Sequence, residues 1–105
     1  MVTPSSTPGP GPAQTVTAAD AVAAAALALP GVTALHSGAF GEVGTYLPGR
    51  RVTGVRITAD LTEVHVVVAM GSPVLPVAEQ VRAAVQPLVG TPVDVYVEDI
   101  DPALP

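Results

Sequence analysis

"EVHVVVAM", residues 63–70, decides the fold. Its valines are β-branched and stiff at χ1, which suits a pleated strand better than a helix. Val64, Val66 and Val68 share one face at a period of two, while Glu63 and His65 share the other. A strand with one apolar face needs a second layer to cover it, and the flanking sequence supplies that layer.

Downstream, Gly71, Ser72 and Pro73 break the strand, and Pro76 suits the first position of a helix over 76–86. Val77, Val81, Ala84, Val85 and Leu88 fall on its inner face, with Glu79 and Arg82 outside. "VDVYVED" (93–99) follows as a strand with Val93, Val95 and Val97 inward. Strand, helix and strand in that order predict parallel pairing across a crossover. Upstream, in "VTGVRITA" (52–59), Val55, Ile57 and Ala59 alternate with Arg56 and Thr58, and "ADLT" turns the chain into 63–70. The two runs pair as an antiparallel hairpin, and the out-of-phase Val52 beside Gly54 predicts a bulge. "VTALH" (32–36) is a further short strand. Before it, Thr17 and Asp20 form a capping box for a helix carrying Val22, Ala25, Ala26 and Leu29 on one face, ended by Pro30 and Gly31.

The expected architecture is therefore α+β, in the order α-β-β-β-α-β. It is a small two-layer sandwich with two helices on one face of a mixed three- to four-stranded sheet. A chain of 105 residues supports one domain, placed at 16–100. Residues 1–15, "MVTPSSTPGPGPAQT", hold four prolines and no charge and read as a disordered tail, with 101–105 as a short C-terminal tail.

Composition excludes several functions. Hydrophobic residues make up 49% of the chain but include one Phe, two Tyr and no Trp, so the core is built from Ala and Val. Four arginines and no lysine stand against nine carboxylates, for a net charge of −5. Nucleic-acid affinity rests on cationic side chains neutralising phosphates, and no basic stripe exists to do it. The absence of Cys rules out disulfides and thiolate metal sites. The apolar run "AVAAAALALPGV" (21–32) follows Asp20 with no basic residue before it, unlike a secretory signal. It also falls short of the about 20 apolar residues of a membrane span. The expectation is a cytoplasmic protein with no direct membrane insertion.

The most function-like stretch is "HSGAFGEVGTYLPGRR" (36–51), whose glycines at 38, 41, 44 and 49 end on Arg50 and Arg51. A phosphate-binding P-loop needs a Lys, and a dinucleotide fingerprint needs G-x-G-x-x-G; neither is present. What survives is a Gly-rich backbone beside two guanidinium groups, making Gly38, Gly41, Arg50 and Arg51 candidate contacts for an anion or a partner, and a small anion- or metabolite-binding module using this loop with Arg50 and Arg51 the alternative function. The competing reading is a strand connection with solvated arginines. His36, Glu42 and His65 lack the spacing of a zinc motif, and His65 is expected to be solvated on the polar face of its strand. Ser37 and His36 are adjacent and point apart on an extended chain. Asp94, Glu98, Asp99 and Asp101 make an acidic, solvated end. No catalytic set, cofactor site or metal site emerges, and the protein reads as a non-enzyme.

Four segments, "LPGVTAL" (29–35), "SGAFGEVGTYLPGRRVTGVRI" (37–57), "VHVVVAMGSPVLPVAEQVRAAV" (64–85) and "VDVYVEDI" (93–100), carry a resemblance. Their words and order, over about residues 17–100, resemble the alkaline shock protein family of bacterial envelope-stress proteins. This chain is shorter than familiar members, poorer in Lys and Glu, and has a Pro-rich leader. The resemblance implies a cytoplasmic protein that gathers at the membrane through self-association or a membrane-anchored protein partner, the exposed edge of the sheet being one contact. It brings no catalytic residue and no cofactor.

Deleting residues 1–15 is expected to leave stability within about 0.5 kcal/mol, since the segment has no apolar periodicity with which to dock. Removing Thr17 as well takes the N-cap and should cost about 1 kcal/mol. Urea midpoints of the two truncations check both, and equal midpoints would contradict the cap.

Overall fold

The computed structural model describes residues 17–102, and the tail expected at 1–15 lies outside them. Helix α1 (Ala18–Leu27) begins at the expected cap. Thr17 Oγ1 accepts from the Asp20 N–H at 3.3 Å, and the Asp20 carboxylate accepts from the Thr17 N–H at 2.7 Å. Strands β1 (Val32–Leu35), β2 (Gly44–Leu47), β3 (Arg50–Thr53), β4 (Val55–Ile57) and β5 (Thr62–Ala69) follow. Helix α2 (Val74–Val85), a 3-10 turn (Gln86–Leu88) and strand β6 (Val93–Asp101) complete the chain. The fold is α+β, with a mixed four-stranded sheet and, in addition to the expected strands, a separate hairpin of β2 and β3.

Strand β5 is the centre of the sheet. On one side β6 runs parallel to it, from Thr62 opposite Val93 to Ala69 opposite Asp101. On the other side β1 and β4 each pair with it antiparallel, β1 with Val66–Val68 and β4 with Thr62–Val64. His65 lies between those two stretches. Its carbonyl accepts from the His36 N–H at 2.9 Å, and its own N–H donates to the Gly54 carbonyl at 2.8 Å. β1 and β4 therefore form one interrupted line against β5, and residues 37–53 leave the sheet at the break. Gly54, expected as a bulge, is the residue where the chain re-enters. Its φ is +80°, and a Cβ there would lie 2.9 Å from the carbonyl oxygens of both His36 and His65.

Both helices cover one face of this sheet. Val64, Val66 and Val68 of β5 are fully buried with Val55, Val22, Val81 and Val85. Helix α2 starts at Val74, two residues before the expected position, with Pro73 as N-cap and the first bond from the Val77 N–H to the Pro73 carbonyl. Pro76 is tolerated because it sits in the first turn, where the N–H has no intrahelical partner. Leu88, expected inward, is exposed because the chain tightens into the 3-10 turn around Pro87. In β6 the register slips between Val97 and Asp99 opposite Val66 and Val67. The extra residue resets the alternation, so Ile100 packs on the core. Asp101, expected in the tail, belongs to the strand and accepts from the Met70 N–H at 2.9 Å.

Gly54→Ala is expected to cost at least about 2 kcal/mol, because left-handed strain and a backbone collision coincide. Gly71 has a similar φ of +91° but open space around it. Gly71→Ala should therefore lose only about 1 kcal/mol, from the conformation alone. Urea denaturation of both variants measures the difference, and equal losses would contradict the collision at Gly54.

Candidate functional site

The excursion from the sheet begins with a small closed loop. Gly38 and Gly41 both adopt positive φ, +84° and +73°, which only glycine takes readily. The Gly41 N–H donates to the Gly38 carbonyl at 3.2 Å, so Ala39 and Phe40 sit at the tip of a tight turn. The neck is closed by the Val43 N–H on the Ser37 carbonyl and by the Gly38 N–H on His36 Nδ1, both at 2.9 Å. Val43 is buried beneath the loop, and its carbonyl accepts from the Gly54 N–H at 3.0 Å. Phe40, the only phenylalanine of the chain, is 90% exposed at the tip.

The β2–β3 hairpin continues from the loop, with Gly44 opposite Thr53 and Leu47 opposite Arg50 around a Pro48–Gly49 turn. Arg50 and Arg51 are successive strand residues, so their side chains leave on opposite faces. Arg50 reaches α1 and grips Asp20 with both nitrogens, Nη1 to Oδ1 at 2.6 Å and Nη2 to Oδ2 at 2.8 Å. This fork-to-fork pair is the strong geometry for a guanidinium and a carboxylate. The Arg50 guanidinium, with the Thr17 N–H behind it, holds the Asp20 carboxyl well below the usual range, and Asp20 raises the Arg50 pKa in turn. Asp20 thus caps α1 and tethers the hairpin to it.

Arg51 turns to the loop instead. Its Nη2 donates to the carbonyls of Gly41 at 2.7 Å and Val43 at 3.0 Å, and its guanidinium lies 5.1 Å from the centroid of the Tyr46 ring. Any side chain at Gly44 would collide with Arg51 Nε, which is buried without a hydrogen-bond partner among the described residues. Gly38, Gly41 and Arg51 are thus parts of one clamped loop, while Arg50 serves a different contact. The two guanidinium groups do not converge, and no enclosed pocket forms among the described residues.

His65 departs from its expected solvated position. It is buried, with Nδ1 2.5 Å from Glu98 Oε2, Nε2 3.1 Å from Glu63 Oε1, and its ring stacked on Tyr96 at 4.4 Å. The reason lies in the parallel register, which sets Tyr96 directly opposite His65 so that the rings stack, while Glu98 of β6 reaches the edge of the imidazole at Nδ1. His36 Nδ1 accepts from the Gly38 N–H, and although the backbones of His36 and His65 are paired, no group of three His, Asp or Glu side chains that could hold a metal ion forms among the described residues. Asp94 and Glu98 do share the outer face of β6 as expected, but Glu98 turns inward to the imidazole.

Sequence reasoning did not single out Phe40 and Tyr46. The available signal was compositional: two of three aromatic residues fall inside the Gly-rich stretch, outside any apolar period. The chain matches no family model, no curated protein and no solved structure.

Because the folded-state pKa of Asp20 is depressed, the ion pair contributes stability above the ordinary aspartate range of about pH 4 and loses it as pH falls through the folded-state value. Asp20→Asn should therefore lower the urea midpoint at pH 7, and its gap from the parent should narrow progressively below about pH 4. A gap that stays constant from neutral to strongly acid pH would contradict the pairing.

Proposed function

We propose that the protein is a non-enzymatic interaction protein of bacterial envelope stress response and homeostasis, acting at the cytoplasmic side through a protein partner. The observation that carries the interaction role is the lobe at 37–53. Its arginines, the groups that would face a ligand in an anion site, are bound to Asp20, Gly41 and Val43. What the lobe offers is a pinned outer surface. The envelope assignment is supported by the segment resemblance over residues 17–100. No helix among the described residues is long and apolar enough to cross a membrane, so attachment in this reading goes through an anchored partner.

Of the two partners considered, a second copy or an anchored protein, the outer edge of β6, which pairs with no further strand among the described residues, favours the second. Pro92 O accepts from the Thr62 N–H, so the backbone groups of Val93, Val95 and Val97 face away from β5. Arg82 Nε donates to the Val93 carbonyl and covers the start of this edge. A second β6 pairing there would set Asp94 and Glu98 against the same carboxylates of the copy. Like charges across a strand pair are destabilising, and inserted charge is a common guard on an edge.

Sedimentation velocity over a concentration series, with a pull-down from the membrane fraction of the producing cells, tests the reading. A monomer that retains one membrane protein is expected. A monomer that retains none would contradict it.

A further inference from the structure

We propose that the outer edge of β6 takes a fifth strand from a partner protein, an extended basic segment in which Lys or Arg alternates with apolar residues. This rests on the interaction reading above and names the chemistry of the partner segment.

The backbone calls for a strand. In the parallel ladder β5 bonds to alternate residues of β6, beginning with the Thr62 N–H on the Pro92 carbonyl, so Val93, Val95 and Val97 turn their backbone groups outward. Beyond the register slip the phase changes. Asp101 accepts from the Met70 N–H, which leaves Ile100 facing out. Side chains close both ends of this outward row. Arg82 Nε donates to the Val93 carbonyl at 3.1 Å, and Asp99 Oδ1 accepts from the Ile100 N–H at 2.8 Å. Between these two plugs, the N–H and C=O groups of Val95 and Val97 have no partner among the described residues. Donors and acceptors repeating at every second residue are what an added strand bonds.

The flanking side chains choose the residues of that strand. On the helix face, Val95 and Val97 pack on the core yet stay half-buried, whereas Val64, Val66 and Val68 of β5 are fully buried. Apolar residues on one face of a fifth strand would complete that burial. The opposite face carries Asp94, Tyr96 and Glu98. Glu98 is engaged by His65, but the exposed Asp94 has no cationic partner among the described residues. The chain cannot supply one from its four arginines, since they hold Asp20, the Gly41 carbonyl, Glu63 and Glu79. Tyr96 registers the negative field: its pKa is raised by burial first, then by Asp94 and Glu63. Lys or Arg on the other face of the added strand is the complement to this charge.

The test titrates the isotope-labelled full chain with a peptide of about eight residues alternating Lys and Val, and with its counterpart carrying Glu for Lys. Amide-correlation NMR should show the Val95 and Val97 signals shifting with the Lys peptide alone. Asp94→Lys changes an exposed side chain outside the ladder and should weaken that binding about tenfold. Val95→Pro removes one outward N–H, where an edge strand accepts proline, and should abolish binding. If Val95→Pro does not fold, Asp94→Lys decides alone. No shift in β6, equal response to the two peptides, or full binding by Asp94→Lys would overturn the proposal. The membrane pull-down, repeated with Asp94→Lys, separates the contact from the broader role. Loss of the retained protein is expected. Equal retention by parent and variant would overturn the edge contact and leave the interaction reading standing, and a parent that retains nothing would remove both.

Discussion

The backbone of His65 is the point on which the rest of the structure depends. Its carbonyl is bonded by His36 and its N–H by Gly54, so two residues far apart in sequence meet on one residue of the central strand. Everything between them is forced out of the sheet. On either side the pairing resumes in one antiparallel line, β1 next to His36 and β4 next to Gly54, with a register shift in β1 between Val32 and Ala34. The junction tolerates only glycine at 54, where three backbone atoms crowd the place of a side chain. A buried backbone group must be bonded somewhere, and here the break in the strand satisfies both groups of the residue it spans.

From that seam the excluded segment folds back on the domain through two guanidinium groups with different tasks. Arg50 ties the hairpin to the first turn of α1, where Asp20 already caps the helix. Arg51 ties the loop to the hairpin through the carbonyls of Gly41 and Val43. The core beneath is built from valines that interdigitate without any large ring, which leaves the aromatic side chains for the surface. Rigidity in the lobe thus comes from directed polar contacts, and rigidity in the sandwich from packing.

The sandwich was legible in the sequence because its signals are periodic. The valines of 63–70 and 93–97, the spacing of Val77, Val81 and Val85, and the Thr17–Asp20 cap all point to the elements that form. The lobe was not legible for a physical reason. Gly44–Leu47 and Arg50–Thr53 are strands of four residues, and their hydrogen bonds and their Arg51 clamp come from partners, not from apolar alternation. Gly38, Gly41, Arg50 and Arg51 stand out in the sequence as candidate contacts, and in the fold the two guanidinium groups are directed inward, onto Asp20 and onto the carbonyls of Gly41 and Val43. His65 was misplaced because a period of two assigns a face but cannot reveal what the neighbouring parallel strand lays over it.

Amide hydrogen exchange, followed residue by residue, tests most directly whether the seam and its clamps make the lobe one body with the sheet. The account predicts that the N–H groups of Gly54, Val43 and His36 exchange as slowly as those of β5, through the same global opening. Protected β5 amides beside Val43 and Gly54 amides that exchange at the rate of an open chain would contradict it, because the lobe would then be a loose loop.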